Sequence, residues 1–241
     1  MNTASPFELL SWDSALFGFG VVRIHFQTRP DTKDISTVWE SSRNMGYRLA
    51  YLDWPGNNPF PNPQTIGLSY CGTKVEFEQD ILRLEAGLDS EIMLATEETD
   101  AIRELAAESG RHSRFFRDPE FQNGEYRLLY DRWIGNAFSP SRRGSCFVIG
   151  PVTEPDGLVT IEEEATETGM RIGLLAVHPR ARRSGVGTRL VAFARAFAAL
   201  KGASRLSVAT QGDNTPAMAL YRKSGFRPVS TTTIAHLWLD S

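Results

Sequence analysis

The chain has 241 residues, with 26 Lys and Arg against 29 Asp and Glu for a formal charge of −3. At this length a chain buries roughly 70 to 75% of its unfolded surface and needs no metal or disulfide to fold. The near balance of charge gives no overall pull toward nucleic acid or an anionic membrane, so any anion site has to be local. Cys71 and Cys146 lie far apart with no CxxC or Cys/His ligand spacing, which fits a reducing compartment and argues against bound metal. The opening MNTASPFELLSWD carries neither a basic segment nor the apolar core of a secretory signal, and no apolar run approaches 18 residues. A soluble cytoplasmic protein is the expectation.

Near the N-terminus FGVVRIHF reads as a strand, DISTVWESSRNMG as a helix with Ile35, Val38 and Trp39 on one side, and YRLAYLDW as a second strand. The proline-rich PGNNPFPNPQ at 55–64 is a loop, and TKVEFE alternates again. Together these make a small β-α-β unit. EIMLATEETDAIRELAAESG continues with an extended run and a helix starting near Asp100, with Ile102, Leu105 and Ala106 on one face. SCFVIG, GLVTIEEE and MRIGLLAV supply three strands of a meander, the first two joined by the turn residues EPDG.

The stretch RRSGVGTRL at 182–190 follows a strand closed by Pro179 and opens a helix on which Val186, Leu190, Phe193, Phe197 and Leu200 recur at helical spacing, with Gly202 as the stop. A helix N-terminus has unpaired N–H groups and roughly half a positive charge, so a phosphate is a natural guest. Gly185 and Gly187 let it approach the backbone. A P-loop is absent, and the Rossmann turn fails because Leu190 replaces the third glycine and Ser207 the distant acidic residue. Taken alone, the Gly-x-Gly is as good a plain strand-to-helix turn as a phosphate site. SRLSVATQGDNTPAMALYRKSGFRPV then gives a strand over Arg205 to Thr210 and a short helix capped by Asn214 or Thr215, with Pro216 in its first turn and Gly225 at its end. TIAHLWL is a terminal strand.

In this order, IGLLAV, Arg182-x-x-Gly185-x-Gly187, a helix, a strand and Asn214-x-x-Ala217-x-x-Leu220-Tyr221-x-x-x-Gly225-Phe226 resemble the acyl-CoA-binding half of the GCN5-related N-acetyltransferases (GNATs). The resemblance implies an α/β fold: a mixed, mostly antiparallel sheet flanked by helices over 91–241, preceded by a smaller β-α-β unit over 1–90 that is too short for a second complete domain. A narrower likeness, carried by FELLSWDSALFGFGVVRI, SRFFRDPEF, YDRWIGNAF, RIGLLAV and VATQGDNTPAMALYRKSGF, is to bacterial members that acetylate the amino group of a nucleotide-linked deoxysugar. The proline-rich loop fits that branch poorly.

The resemblance implies acetyl-CoA as cosubstrate, no metal, and specific roles. In the family the strand before the glycine loop parts from its neighbour, which makes Leu175 N–H the candidate oxyanion donor and Val177 the candidate pantetheine contact. Arg182, Arg183, Ser184, Gly185, Val186, Gly187 and Thr188 would cradle the pyrophosphate, Asn214 would bond the pantetheine arm, and Tyr221 would protonate the thiolate. Other roles compete: a core position for Tyr221, a cap for Asn214, plain surface charge for Arg182 and Arg183. His112, Arg114 and Asp118 are candidates for the acceptor site, with a structural loop an equal alternative. His25, His178 and His236 read as structural or exposed, and Glu162 to Glu164 as a strand edge in water. The narrower branch carries a Glu shortly after a Gly-aromatic pair matching Gly46-Tyr47, where this chain has Tyr51 and then Asp53. Asp53 is therefore the candidate base, directly or through water, unless the amine arrives neutral.

The leading expectation is an N-acetyltransferase acting on a TDP-linked 4-amino-4,6-dideoxyhexose. The same chemistry on a peptide or small amine and a non-catalytic CoA-binding module are the alternatives. A homodimer is left open; nucleic acid and membrane partners are not expected.

Overall fold

A computed structural model describes residues 7–81, 87–139, 144–164 and 168–239. The first part holds β1 (Glu8–Leu9), α1 (Ser11–Phe17), β2 (Val21–His25), α2 (Thr32–Asn44), β3 (Leu49–Pro55) and β4 (Tyr70–Asp80). The rest holds β5 (Ile92–Leu94), α3 (Asp100–Ser109), α4 (Arg114–Arg117), α5 (Glu125–Asn136), β6 (Gly144–Ile149), β7 (Gly157–Glu163), β8 (Gly169–Val177), α6 (Val186–Leu200), β9 (Arg205–Gln211), α7 (Thr215–Lys223) and β10 (Arg227–Trp238). The mixed, mostly antiparallel sheet flanked by helices is the architecture expected; α1, α4 and α5 were not anticipated.

All ten strands join one sheet in the order β1-β2-β3-β10-β4-β9-β8-β7-β6-β5. Only β2 with β3 and β8 with β9 pair in parallel. β4, from the first ninety residues, lies between β9 and β10, so hydrogen bonding runs unbroken across position 90. Several helices start where a side chain satisfies an orphan donor. Asp31 and Asp34 form a reciprocal capping box on α2, Thr99 caps α3 and Asn214 caps α7.

Three apolar clusters hold the layers together. Ile35 and Val38 of α2 pack on Val22, Ile24, Ala50 and Leu52 of the sheet. Val186, Leu190, Phe193 and Ala194 of α6 pack on Val159, Ile161, Ile172 and Val208; Leu200, expected in that stripe, is exposed. Side chains two apart on a strand share a face, and β4 gives Cys71 to the first cluster and Val75 and Phe77 to the second, so both cover one side of the sheet. The opposite side is covered by Ile102 and Leu105 of α3 and Leu129, Tyr130 and Ile134 of α5, packed on Tyr51, Cys146, Leu158 and Leu174. No described helix is long and apolar enough to cross a membrane.

A buried polar knot ties the loop after α4 to β10. Asp118 accepts from His236 Nδ1 at 2.6 Å, Trp238 Nε1 at 3.1 Å, Ser69 Oγ at 2.9 Å and the Glu120 N–H at 3.0 Å. The side chains of Asp118 and His236 have no exposed surface, so Asp118 does not line an acceptor site: it is spent on holding this loop in place. Burial pushes His236 down to about 4, against the pull of Asp118. Burial alone would raise Asp118, but the bonds it accepts, led by the one from His236, hold its carboxyl below the usual range.

A neutral His236 fixes a pH dependence. The unfolded chain takes up a proton on this residue below about 6.5, whereas the folded chain does so only near 4. The unfolded state then binds more protons, so stability falls as pH drops through this window, by about 3 kcal/mol in all. Urea midpoints from pH 7 to pH 4 should show the fall in the wild type and a flatter course in His236→Asn; equal slopes would exclude His236 as the source.

Candidate active site

Pairing between β8 and β9 ends at Ile172 and Val208, although β8 continues to Val177 and β9 to Gln211. The two strands therefore part. At the same point the pairing of β8 with β7 changes register, from Ile161 opposite Ile172 to Val159 opposite Leu175. Gly173 and Leu174 together oppose Thr160, a β-bulge, and Thr160 Oγ1 accepts the Leu174 N–H at 2.8 Å. The bulge exchanges the two faces of the strand. Met170 and Ile172 point to the α6 side before it, Leu175 and Val177 after it, while Leu174 and Ala176 join the α3 and α5 cluster.

The direction of the backbone follows from the alternation of antiparallel pairs. The His178 N–H donates to Asp156 O at 2.8 Å. Counting back, Ala176 bonds β7, whereas the N–H groups of Val177 and Leu175 turn away from it. They face the gap that β9 leaves open.

Beyond β8 a turn of 3₁₀ helix, Pro179–Ala181, leads to α6. Arg183 has φ of +64° and Gly185 +90°, both left-handed; for Gly185, the residue preceding α6, glycine meets the requirement without strain. Gly187 serves packing: a β-carbon there would stand 3.3 Å from Leu220 and 3.5 Å from Val177. The helix's first bond runs from the Arg189 N–H to Gly185 O at 3.0 Å, which leaves the N–H groups from Gly185 through Thr188 with no helical partner. The guanidinium of Arg182 bonds Glu108 of α3 at 2.5 Å and Val177 O at 3.4 Å, so it braces the loop against α3. Ser184 Oγ bonds Ala181 O at 2.6 Å.

The parted strands open into a cleft of about 560 Å³ whose lining includes Leu175, Asn214, Tyr221, His112, Arg114 and Asp53. Asn214 Oδ1 accepts the Ala217 N–H at 3.3 Å, so the residue both caps α7 and lines the cleft. Tyr221, two helical turns on along nearly the same face, packs between Phe77 and Phe226 with ring centroids at 5.8 and 5.9 Å. Burial raises its phenol well above the ordinary value, so it stays protonated at neutral pH. Arg114 lies over the rings of Tyr51 and Phe115, and its Nε is buried without a hydrogen-bond partner, as is His112 Nδ1.

Asp53 stands at the other end of this cleft. It receives His25 Nδ1 at 2.5 Å and lies 3.7 Å from Arg23. β3 is three strands from β9, about 14 Å at ordinary strand spacing. At that distance an aspartate does not touch an amine at Leu175 directly, and Asp53 lines the cleft beside His25 and Arg23. His25 is half exposed and lines the same end. His178 caps the 3₁₀ turn by accepting the Arg180 N–H at 3.3 Å.

Several cleft residues escaped sequence reasoning. Arg23, Lys74 and Arg171 line it from β2, β4 and β8, yet each is an isolated cation on an alternating strand, the usual pattern of a solvated face. Glu162 corrects the expectation of a strand edge: β7 is interior to the sheet, and burial raises the Glu162 carboxyl above the usual range, against the pull of Arg171. Glu164 is also engaged, with Arg205 and Ser207. Among the described residues no cluster of His, Cys, Asp and Glu fits a metal ion.

The chain resembles known proteins along nearly its whole length. The dTDP-fucosamine acetyltransferase of Escherichia coli O6:H1 is 29% identical over 236 residues, 96% of this chain and 97% of that protein. A structure of a conserved protein of unknown function from Staphylococcus epidermidis superposes with a TM-score of 0.63 at 13% identity, over 91% of this chain and 84% of that one. A tandem GNAT protein from the clavulanic acid biosynthesis pathway does so with a TM-score of 0.53 at 15% identity, over 92% and 76%. The sequence model of the acetyltransferase (GNAT) family matches residues 100–226, from the start of α3 to the residue before β10. With the parted strands, the turn into α6 and the cleft between them, this chain belongs to the acetyltransferase (GNAT) family and is an acyl-CoA-dependent acetyltransferase.

Proposed function

We propose that the protein transfers the acetyl group of acetyl-CoA to the amino group of a nucleotide-linked amino-deoxysugar, a TDP-linked 4-amino-4,6-dideoxyhexose. The observation that carries this reading is the charge of the cleft. Arg23, Lys74, Arg114 and Arg171 bring four cations to its lining, Arg23 paired with Asp53 and Lys74 and Arg171 with Glu76, a setting for the two phosphates of a nucleotide sugar. Half of that wall comes from β2, β3 and β4, so residues 1–90 select the acceptor and 91–241 hold the acyl donor. The near-full-length likeness to a dTDP-fucosamine acetyltransferase supports the same class of substrate.

The division of labour follows from chemistry. Aminolysis of a thioester needs alignment, a donor for the developing oxyanion, a free amine and a proton for the leaving thiolate. The orphan N–H groups from Gly185 through Thr188, with Arg183 and Ser184 beside them, cradle the pyrophosphate. Arg182 adds its charge at the edge while bracing the loop. Val177 and Asn214 guide the pantetheine arm through the gap. The Leu175 N–H receives the carbonyl oxygen. Tyr221, from the α7 side, gives its proton to the sulfur.

Offered acetyl-CoA and a panel of amines, the enzyme should release thiol fastest with a TDP-amino sugar, and the free amino sugar should lose in kcat/KM because it forfeits the phosphate contacts that orient it. A peptide or polyamine turned over faster than every TDP-amino sugar would replace this acceptor class while leaving the donor assignments intact. Tyr221→Phe should lower kcat roughly 10²- to 10⁴-fold with little change in KM for acetyl-CoA, since thiolate protonation matters only in the transition state. A variant within threefold of wild type would make the tyrosine a core residue. Gly185→Val forces a β-branched residue into the left-handed region at the head of α6 and should weaken acetyl-CoA at least about tenfold, about 1.4 kcal/mol. Calorimetry on the folded variant decides, and unchanged affinity removes the loop from the donor site.

A further inference from the structure

We infer that Glu162 is the general base of the transfer: its carboxylate, lodged against the bulge of β8 on the acceptor side of the sheet, takes the proton from the incoming ammonium group. The inference rests on the acyl-transfer reading of this cleft, with Leu175 and Tyr221 as assigned above.

The placement begins with parity. Leu158 of β7 belongs to the cluster under α3 and α5, and side chains two and four residues further along a strand share its face. Thr160 and Glu162 therefore point to the side from which Arg114 and His112 line the cleft. Glu162 stands cross-strand from Arg171 on β8 and from Gly144 on β6. Both flanking strands give it room by omitting a side chain. A β-carbon on Gly144 would stand 2.8 Å from Glu162 Cγ, and one on Gly173 would overlap Glu162 Oε1. Gly173 itself lines the cleft.

Distance then separates Glu162 from the other carboxylate. Gly173, against which the carboxylate lies, is two residues before Leu175 on β8, a span of roughly 7 Å at most. An amine nitrogen, directly or through one water, would link that carboxylate to an acyl carbon held at the Leu175 N–H. Asp53, on β3, is four strands from β8, roughly 19 Å at ordinary strand spacing. Charge agrees with geometry. Among the described residues Glu162 makes no ion pair within 4 Å, and Arg171 is the charged group that acts on it; burial raises its carboxyl, which narrows the gap to the amine it must deprotonate.

The carboxylate takes one proton from the ammonium, which is the dominant form of an alkylamine at neutral pH. The freed nitrogen lone pair forms the C–N bond to the acyl carbon, and the carbonyl π pair moves to oxygen at the Leu175 N–H. The pair returns, the C–S bond breaks, and the thiolate takes the Tyr221 proton. The surplus proton on the new amide nitrogen restores the tyrosine, and the proton on Glu162 leaves to water.

The test is the pH dependence of kcat/KM in Glu162→Gln, with TDP-4-amino-4,6-dideoxygalactose and, in parallel, spermidine as acceptors, beside Tyr221→Phe. The expected result is a loss of roughly 10²-fold or more at pH 7, a rate that climbs with pH as the free amine accumulates and approaches wild type in alkali, and unchanged acetyl-CoA affinity. Activity within threefold of wild type with the same acid limb would overturn the base while leaving the acyl-transfer reading to stand or fall with Tyr221→Phe. If Glu162→Gln does not fold, Glu162→Asp decides. The carboxylate drawn back by one methylene should lower kcat and keep the acid limb, and an unaltered kcat overturns the inference.

Discussion

Hydrogen bonding between β8 and β9 stops at Ile172 and Val208 while both strands run on, and this unmade pairing is what the site is built from. Backbone groups inside a sheet are ordinarily spent on their neighbours. Here the Leu175 and Val177 N–H groups are turned by register toward a gap that no strand fills. The cost of leaving them unpaired is met at the bulge, where Thr160 satisfies the Leu174 N–H and β8 stays anchored to β7 through Val177. Without that second attachment a strand released from one partner would fray.

The gap also separates two chemistries by the faces of one sheet. Tyr221 and the α6 N-terminus reach it from the side packed on α6 and α7, where burial keeps the phenol protonated. Arg114 and His112 reach it from the side packed on α3 and α5. Donor and acceptor can then meet through the sheet without competing for one entrance. The strand order supports this: β4, inserted between β9 and β10, gives Phe77 to the packing of Tyr221 on one face and Lys74 to the cleft on the other.

What could be read from the sequence was local. The cap at Asn214, the glycines of the α6 turn and the Tyr221 spacing are set within a few residues of one another, and each follows from backbone rules that act along the chain. What could not be read was set by pairing. The place of β4 depends on partners about 130 to 160 residues away. Arg23, Lys74 and Arg171 converge only once β2, β4 and β8 share a sheet face. α5 was missed because its buried residues, Glu125, Leu129, Tyr130 and Ile134, mix with Tyr126 and Trp133 of the same cluster and blur its apolar stripe.

Glu162 shows the same limit at the scale of one side chain. In the sequence it is the first of three acidic residues, the pattern of a solvated edge, and nothing within that run tells its members apart. Register does. Glu163 turns to solvent, Glu164 is taken up by Arg205 and Ser207, and Glu162 alone lies over the bulge, where Gly144 and Gly173 leave it space. An acidic residue acquires its setting here from two glycines on the flanking strands, which lie 18 positions before it and 11 after it in the chain. The bulge that frees the Leu175 N–H is therefore also the feature that admits the carboxylate, so a single irregularity in β8 sets an unpaired N–H and a buried carboxylate within two residues of one another on that strand.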